Sequence, residues 1–500
     1  MNSNIVHTKR ILIWLLFLTV GVQCQGQRSS EVQLNYELIF SRTALRTVEV
    51  HAAITLEEPV LQMATYGIPL QLTNGWANFV TIKSIKDDLG AKVPFNWDAN
   101  KKQWRLEISR NSQIQLHYLV ELRHDDHNWN EVGGIDGRPS LIGDETIFWV
   151  TKGLFIYPQG NSEKKSTITF DVPKDWTVSS PWIKIGLQNF IAKNIDALTN
   201  NALMVGKQDV RIINYDGMSI TMAVAPNLKH RTELFTRTLS KVLPVYYNVF
   251  GELPSANYLI CASKYIFEDG EAFYNSFHQL FVDSELESRT IVWGNVLAHE
   301  MFHYWNGTNF LVGDDVNANS WFSEGFTEYY ANLALVRSGL VTKEEYLQKL
   351  AYQFSRFYSS QAFIQGDQPA LLEAGYQKSR NWHLIYGGGA SIAFILDIEI
   401  RHLTHGEKSL DDLMKLLYQN YGKTHKKLRL EHQINALNKL TNADFKPFFN
   451  KYVTGKEFYL LPILGACKKA GLKVAQYQGE FFLTAKPNSS MFESLIGTPN

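Results

Sequence analysis

Two histidines four residues apart, with a glutamate beside the first, are the side chains in this sequence best placed to do chemistry. They lie in His299-Glu300-Met301-Phe302-His303-Tyr304-Trp305. A helix here would project His299 and His303 from one face, where both imidazoles can bind one metal ion. Glu300 would then point beside the ion, positioned as a general base. The chemistry is metal-assisted hydrolysis. The ion lowers the pKa of its water, and the carboxylate takes the proton as that water attacks.

Two imidazoles leave such a centre incomplete, because a catalytic zinc usually has three protein ligands and one open position. Downstream, Ser320-Trp-Phe-Ser-Glu-Gly-Phe-Thr-Glu-Tyr-Tyr-Ala331 opens a second helix that runs on through Leu333, Leu335 and Val336. Glu324 falls in its first turn, where the helix dipole also favours a carboxylate. A glutamate in that position is ordinarily just solvated. Its place in Trp-x-x-Glu-Gly-Phe-x-x-Tyr-Tyr, shortly after the paired histidines, marks it instead as the third ligand.

His-Glu-x-Phe-His-x-Trp-Asn (299–306) followed by Trp-x-x-Glu-Gly-Phe-Thr-x-Tyr-Tyr (321–330) resembles the glycyl aminopeptidases, the sixty-first family of metallopeptidases. More distantly it is similar to the alanyl aminopeptidases and leukotriene hydrolases, all gluzincins. A third block agrees: Tyr386-Gly-Gly-Gly-Ala-Ser-Ile-Ala-Phe-Ile-Leu-Asp-Ile-Glu-Ile-Arg401. The resemblance implies one Zn2+ per chain on His299, His303 and Glu324, with Glu300 as base. It also makes Tyr386 the donor to the reacting carbonyl oxygen, although a tyrosine at a helix start often simply packs there. Glu328, one turn after Glu324, is where a carboxylate could orient a ligand histidine, or it is an exposed helix glutamate. His383 and Tyr376 are the other candidate donors near the site.

The likeness breaks at substrate recognition. Related aminopeptidases hold the free amine of the peptide with a glutamate from a glycine-rich edge strand. Here that segment reads Asp269-Gly270-Glu271-Ala272-Phe273-Tyr274-Asn275-Ser276. Aligned through Asn275-Ser276, Ala272 takes the place of the glutamate. Glu271, with Gly270 beside it, stands one residue early and so faces the opposite side of a strand, unless a bulge restores it. Asp269 and Glu268 are the remaining local carboxylates. The loop after His303 is short, and Gly388 stands where the related enzymes have a lysine. The reading is therefore a metallopeptidase, and within it an aminopeptidase on short peptides. A zinc endopeptidase and an inactive peptidase-like binding protein are the alternatives.

The elements that must position these residues imply a multidomain α+β protein. Runs such as Leu34-Asn-Tyr-Glu-Leu-Ile-Phe, Thr47-Val-Glu-Val-His-Ala-Ala-Ile, Gln113-Ile-Gln-Leu-His-Tyr-Leu-Val and Ser166-Thr-Ile-Thr-Phe-Asp-Val alternate as strands do. They suggest an all-β domain over residues 30–225, in which His51 and His117 read as ordinary strand residues. From 226 to 460 the pattern turns helical, beginning with Leu234–Phe250, stopped by Gly251-Glu-Leu-Pro254, and followed by a strand from Asn257. The resemblance makes this region a thermolysin-like, gluzincin catalytic domain with a mostly helical C-terminal part. Residues 461–500 are expected to be a tail, too short for a PDZ domain.

The chain has 500 residues, 45% hydrophobic and 20% charged, with 49 basic and 49 acidic side chains. That balance gives no footprint for nucleic acid; the partner implied is a peptide. Residues 1–26 read as a signal peptide, with Lys9 and Arg10 before an apolar stretch from Ile11 to Val22 that is too short to cross a bilayer. Export is expected, with a lipid anchor on Cys24 as the alternative. Removal of that segment leaves Cys261 and Cys467, too few for a disulfide framework, so the core must supply the stability.

Overall fold

The computed structural model describes residues 34–497, apart from 66, 68–71, 125–136, 161, 285–289, 308–314, 316, 364–367 and 425. The leader and Cys24 lie outside the described residues.

The N-terminal unit is built on a seven-stranded sheet. Its order is Ile183–Lys184, Asn189–Ala192, Ser166–Asp171, Leu34–Phe40, Thr47–Thr55, Gln113–Glu121, Val80–Asp87. Alternation explains the choice of face. Val48, Val50, Ala52 and Ile54 turn inward against Tyr118 and Trp149, leaving Glu49, His51 and Ala53 on the other side. Two four-stranded sheets complete the unit.

The second unit starts earlier than a boundary at 225 would have it. Asp209–Tyr215 and Met218–Val224 join Asn257–Lys264, Ser276–Phe281 and Asp269–Ala272 in one five-stranded sheet, the last of these at its edge. Alternation makes a strand but does not name its neighbour. Parallel pairing of Met218–Val224 with Asn257–Lys264 assigns both outer strands to this sheet.

Helix Thr232–Phe250 carries Phe235, Leu239, Val242, Leu243, Tyr246 and Val249 on one face and packs them into the core. It ends at Gly251, whose φ of 80° no β-carbon residue adopts readily. Behind the sheet lie helices Thr290–Phe302, Ser320–Arg337, Lys343–Phe363 and Gly389–Leu403. Residues 461–497 are not a loose tail. Helix Leu460–Lys469, a hairpin of Leu472–Tyr477 with Glu480–Ala485, and helix Ser490–Ile496 bury Leu472, Phe481, Phe492 and Leu495 in the same core. Cys261 and Cys467 are free and buried. Among the described residues no helix is long and apolar enough to cross a membrane.

The units meet along the edge hairpin. Asn201 accepts from the Ser276 hydroxyl at 2.8 Å and from the Asn275 amide at 3.1 Å, and Phe148 stacks on His278 with centroids 3.7 Å apart. The N-terminal unit therefore fixes the strand that borders the site.

Candidate active site

His299 and His303 meet as the spacing requires. The helix runs Thr290–Phe302, and the amide of His303 still bonds back to the carbonyl of His299 at 3.2 Å. The two Nε2 atoms lie 3.1 Å apart. Glu324 completes a triangle, its Oε2 3.2 Å from His299 Nε2 and 3.3 Å from His303 Nε2. Its helix begins at Ser320, so Glu324 is the fifth residue and lies beyond the first turn. The dipole argument for it thus loses force, while the convergence of its carboxylate on the imidazoles stands on geometry. These three can hold a divalent cation.

Each imidazole is fixed through its other nitrogen. His303 Nδ1 lies 2.9 Å from the Asn306 carbonyl oxygen, an acceptor that favours the tautomer with the proton on Nδ1 and the lone pair on Nε2. Asn306 is fully buried, and its side-chain amide reaches the Phe322 and Ser323 carbonyls and the Thr327 hydroxyl. It thereby joins the end of the first helix to the start of the second. His299 Nδ1 lies 3.2 Å from Glu328 Oε2. Glu328 is buried, not an exposed helix residue, and Gln353 donates to its Oε1 at 2.7 Å. Against the cost of burial, the His299 bond and nearby cations hold the Glu328 carboxyl down at about 2.

Burial pulls His299 towards its neutral form, yet bonds to Glu324 and Glu328 outweigh it and raise its pKa to about 10. The cluster is a place for positive charge. Burial opposes ionisation of Glu324 as well, but Lys378 and the imidazoles keep its pKa well below the usual range. Lys378 Nζ sits 2.7 Å from Glu324 Oε1, the oxygen turned away from the histidines.

Glu300 is buried beside the triangle, and that burial pushes its carboxyl above the ordinary range. Gly270 of the edge strand lies directly over it. A β-carbon there would come within 2.5 Å of Glu300 Cγ.

Tyr386 occupies a π-helical turn, Leu384–Gly388, entering helix Gly389–Leu403. Such turns recur at functional sites. Its ring lies parallel to that of His299 at 5.8 Å and stacks on Trp382 at 4.0 Å. Burial, with the charge of Glu324, keeps the hydroxyl protonated far beyond neutral pH. The glycines explain its placement. Gly325 and Gly389 bring two helix backbones together, and a β-carbon on Gly325 would lie 2.3 Å from Gly389 Cα. Gly388 faces the Tyr459 hydroxyl, which a β-carbon would approach to 2.6 Å, so a lysine has no room here. Of the other donors, His383 is exposed and Tyr376 bonds Asp315.

The edge strand pairs regularly, Gly270 with Gln279 and Glu271 with His278, with no bulge. Gly270 therefore faces Glu300, while Asp269 and Glu271 share the opposite side. Glu271 Oε1 lies 3.3 Å from Lys152 Nζ of the N-terminal unit. Burial, with Glu271 adding to it, raises the pKa of Asp269, and the charges of His299 and Lys378 act against that rise.

Sequence reasoning did not single out Asn306, Gln353, Lys378 or Lys152. Asn306 alone carried a signal, as the last residue of the quoted His-x-Trp-Asn.

Among solved structures, the fold is similar to an aminopeptidase N family protein from Idiomarina loihiensis, at 19% identity and a TM-score of 0.75, over 89% of this chain and 79% of that one. It is also similar to an M1 zinc metallopeptidase from Deinococcus radiodurans, a mutant bound to a Tyr-Ser-Ala substrate. There the identity is 14% and the TM-score 0.54, over 86% of this chain and 96% of that one. No curated protein sequence matches the chain. The N-terminal domain model of peptidase family M61 matches residues 35–207, and the M61 glycyl aminopeptidase model matches residues 293–370, which hold both histidines and Glu324. With half of the chain matched across both regions, this protein belongs to the M61 glycyl aminopeptidase family of peptidases.

Proposed function

We propose that this peptidase is an exported, zinc-dependent aminopeptidase acting on short peptides. One observation carries the metal. His299 Nε2, His303 Nε2 and Glu324 Oε2 are mutually 3.1–3.3 Å apart. Ligands of a tetrahedral zinc, each about 2.0–2.1 Å from the ion, stand about 3.3–3.4 Å from one another. Both imidazoles and the carboxylate thus stand at the mutual spacing a single tetrahedral ion requires, so the residues fit the ion.

Zinc held there supplies Lewis acidity to the scissile carbonyl and to water. Glu300 accepts the proton of the attacking water and returns it to the leaving amine. The Tyr386 hydroxyl donates to the carbonyl oxygen as negative charge grows on it. Glu328 and the Asn306 carbonyl hold the two imidazoles in the tautomer that leaves Nε2 free. Export rests on the N-terminal leader pattern.

For the free amine, Glu271 and Asp269 offer paired carboxylates beside the cleft. Lys152 already places one ammonium on Glu271, and that contact favours the second reading, an endopeptidase indifferent to the N-terminus. Zinc-loaded protein should cleave unblocked short peptides and spare their acetylated forms. Glu271→Ala should remove that preference without changing zinc content. Equal cleavage of both forms by the wild type would overturn the aminopeptidase reading, and cleavage of neither would leave a binding protein.

A further inference from the structure

The outer face of the seven-stranded sheet holds another group of two imidazoles and a carboxylate. Glu49 and His51 are two apart on Thr47–Thr55 and share its solvent side. His51 pairs across strands with His117 of Gln113–Glu121, and the rings stack with centroids 4.4 Å apart and planes at 21°. Both Nε2 atoms lie 2.9 Å from the same oxygen, Glu49 Oε1. Only His51 makes a hydrogen bond with it. His117 Nε2 is shielded from solvent and has no hydrogen-bond partner.

The group brings two imidazole nitrogens and one carboxylate oxygen to a single point on the sheet surface. One donor atom from each residue lies within 4.8 Å of the others, close enough for all three to share one cation.

We propose that Glu49, His51 and His117 form a second divalent-metal site, separate from the peptidase centre, taking a borderline ion of the Zn2+ or Cu2+ type. Imidazole with a single carboxylate suits those ions better than Ca2+ or Mg2+, which want several oxygen ligands. The side chains of His51 and Glu49 are 46% and 41% exposed, so an ion enters directly and keeps water on its open side. Glu37 stands opposite His51 on the other neighbouring strand and adds negative charge to the approach. The ion clips two central strands together and touches none of the residues from 269 to 386.

Zinc alone tests the assignment. Chelator-stripped full-length protein titrated with ZnCl2 should bind two equivalents, of which His117→Gln removes one while peptide cleavage stays at the wild-type rate. Glu49→Gln should weaken the same equivalent and, lying on an open surface, leave the fold unchanged. Glu324→Ala should show the converse, losing the peptidase equivalent and keeping this one. A single equivalent in the wild type, or a second that survives both His117→Gln and Glu49→Gln, would overturn the proposal.

Discussion

His299, His303 and Glu324 on the helices, and Glu49, His51 and His117 on the sheet, assemble the same side-chain types by opposite means. On the helices the donors are buried or nearly so and each spare atom is engaged: Glu328 holds one imidazole, Asn306 the other, and Lys378 the far oxygen of the carboxylate. On the sheet the donors stand half in water, and His117 lacks a hydrogen-bond partner for Nε2. The helical group also has Glu300 and Tyr386 beside it, the proposed base and the proposed donor to the carbonyl oxygen. Ligand identity alone thus does not make a catalyst; the difference lies in what braces the ligands and what stands beside them.

The largest effect expected from breaking that difference is at Glu300. Glu300→Gln should keep its zinc and lose about 10³-fold in kcat/KM, within the range for removing a positioned base. Only ionised Glu300 can accept a proton, and burial raises its pKa. The acid limb of wild-type kcat/KM should therefore fall above the ordinary glutamate value of about 4.3, with activity present above that limb and lost as pH drops through it. A limb at or below the ordinary value would remove Glu300 from the role.

Tyr386→Phe comes next, with kcat reduced by about 10²-fold and KM almost unchanged, as for loss of one oxyanion donor. Wild-type turnover in that variant would move the role to another group. Glu328→Gln should weaken zinc binding at the helical site by about 10- to 100-fold, the usual cost of losing a carboxylate behind a ligand histidine. Metal titration would sharpen the contrast, since the sheet site has no such support to lose. The smallest effect is expected at Lys152. If its ammonium competes with the substrate's for Glu271, Lys152→Met should lower KM for unblocked peptides by less than about tenfold, within one charged hydrogen bond. An unchanged KM would leave Lys152 a structural tether between the units.

What could be read beforehand followed sequence distance. His299, Glu300 and His303 fall within one turn and declare themselves by spacing, as does Glu328 four residues after Glu324. Thr47–Thr55 and Gln113–Glu121 announced themselves by alternation to within a residue. Lys378 reaches Glu324 from 54 positions away, and Lys152 meets Glu271 across 119. No local period encodes such contacts. The strands from 209 to 224 were legible as strands but not as members of the second sheet, because the pattern of one strand leaves its partner unstated. The missing glutamate at Ala272 was visible at once. Its consequence, a carboxylate turned towards a lysine of the other unit, needed the fold.

The backbone contact between Gly325 and Gly389 bears on how this protein can be altered. Glu324 and Tyr386 are each next to, or three residues from, that contact, so their separation is set by main chain resting on main chain. Main-chain contacts have no rotamers to exchange, and warming the molecule gives the pair no softer arrangement to sample. A methyl group at either glycine should act as a wedge, moving the tyrosine away from the ligand set while both helices stay folded. Attempts to change which peptides are accepted have more freedom at Asp269–Ala272, a half-exposed edge where side chains can change without prying those two backbones apart.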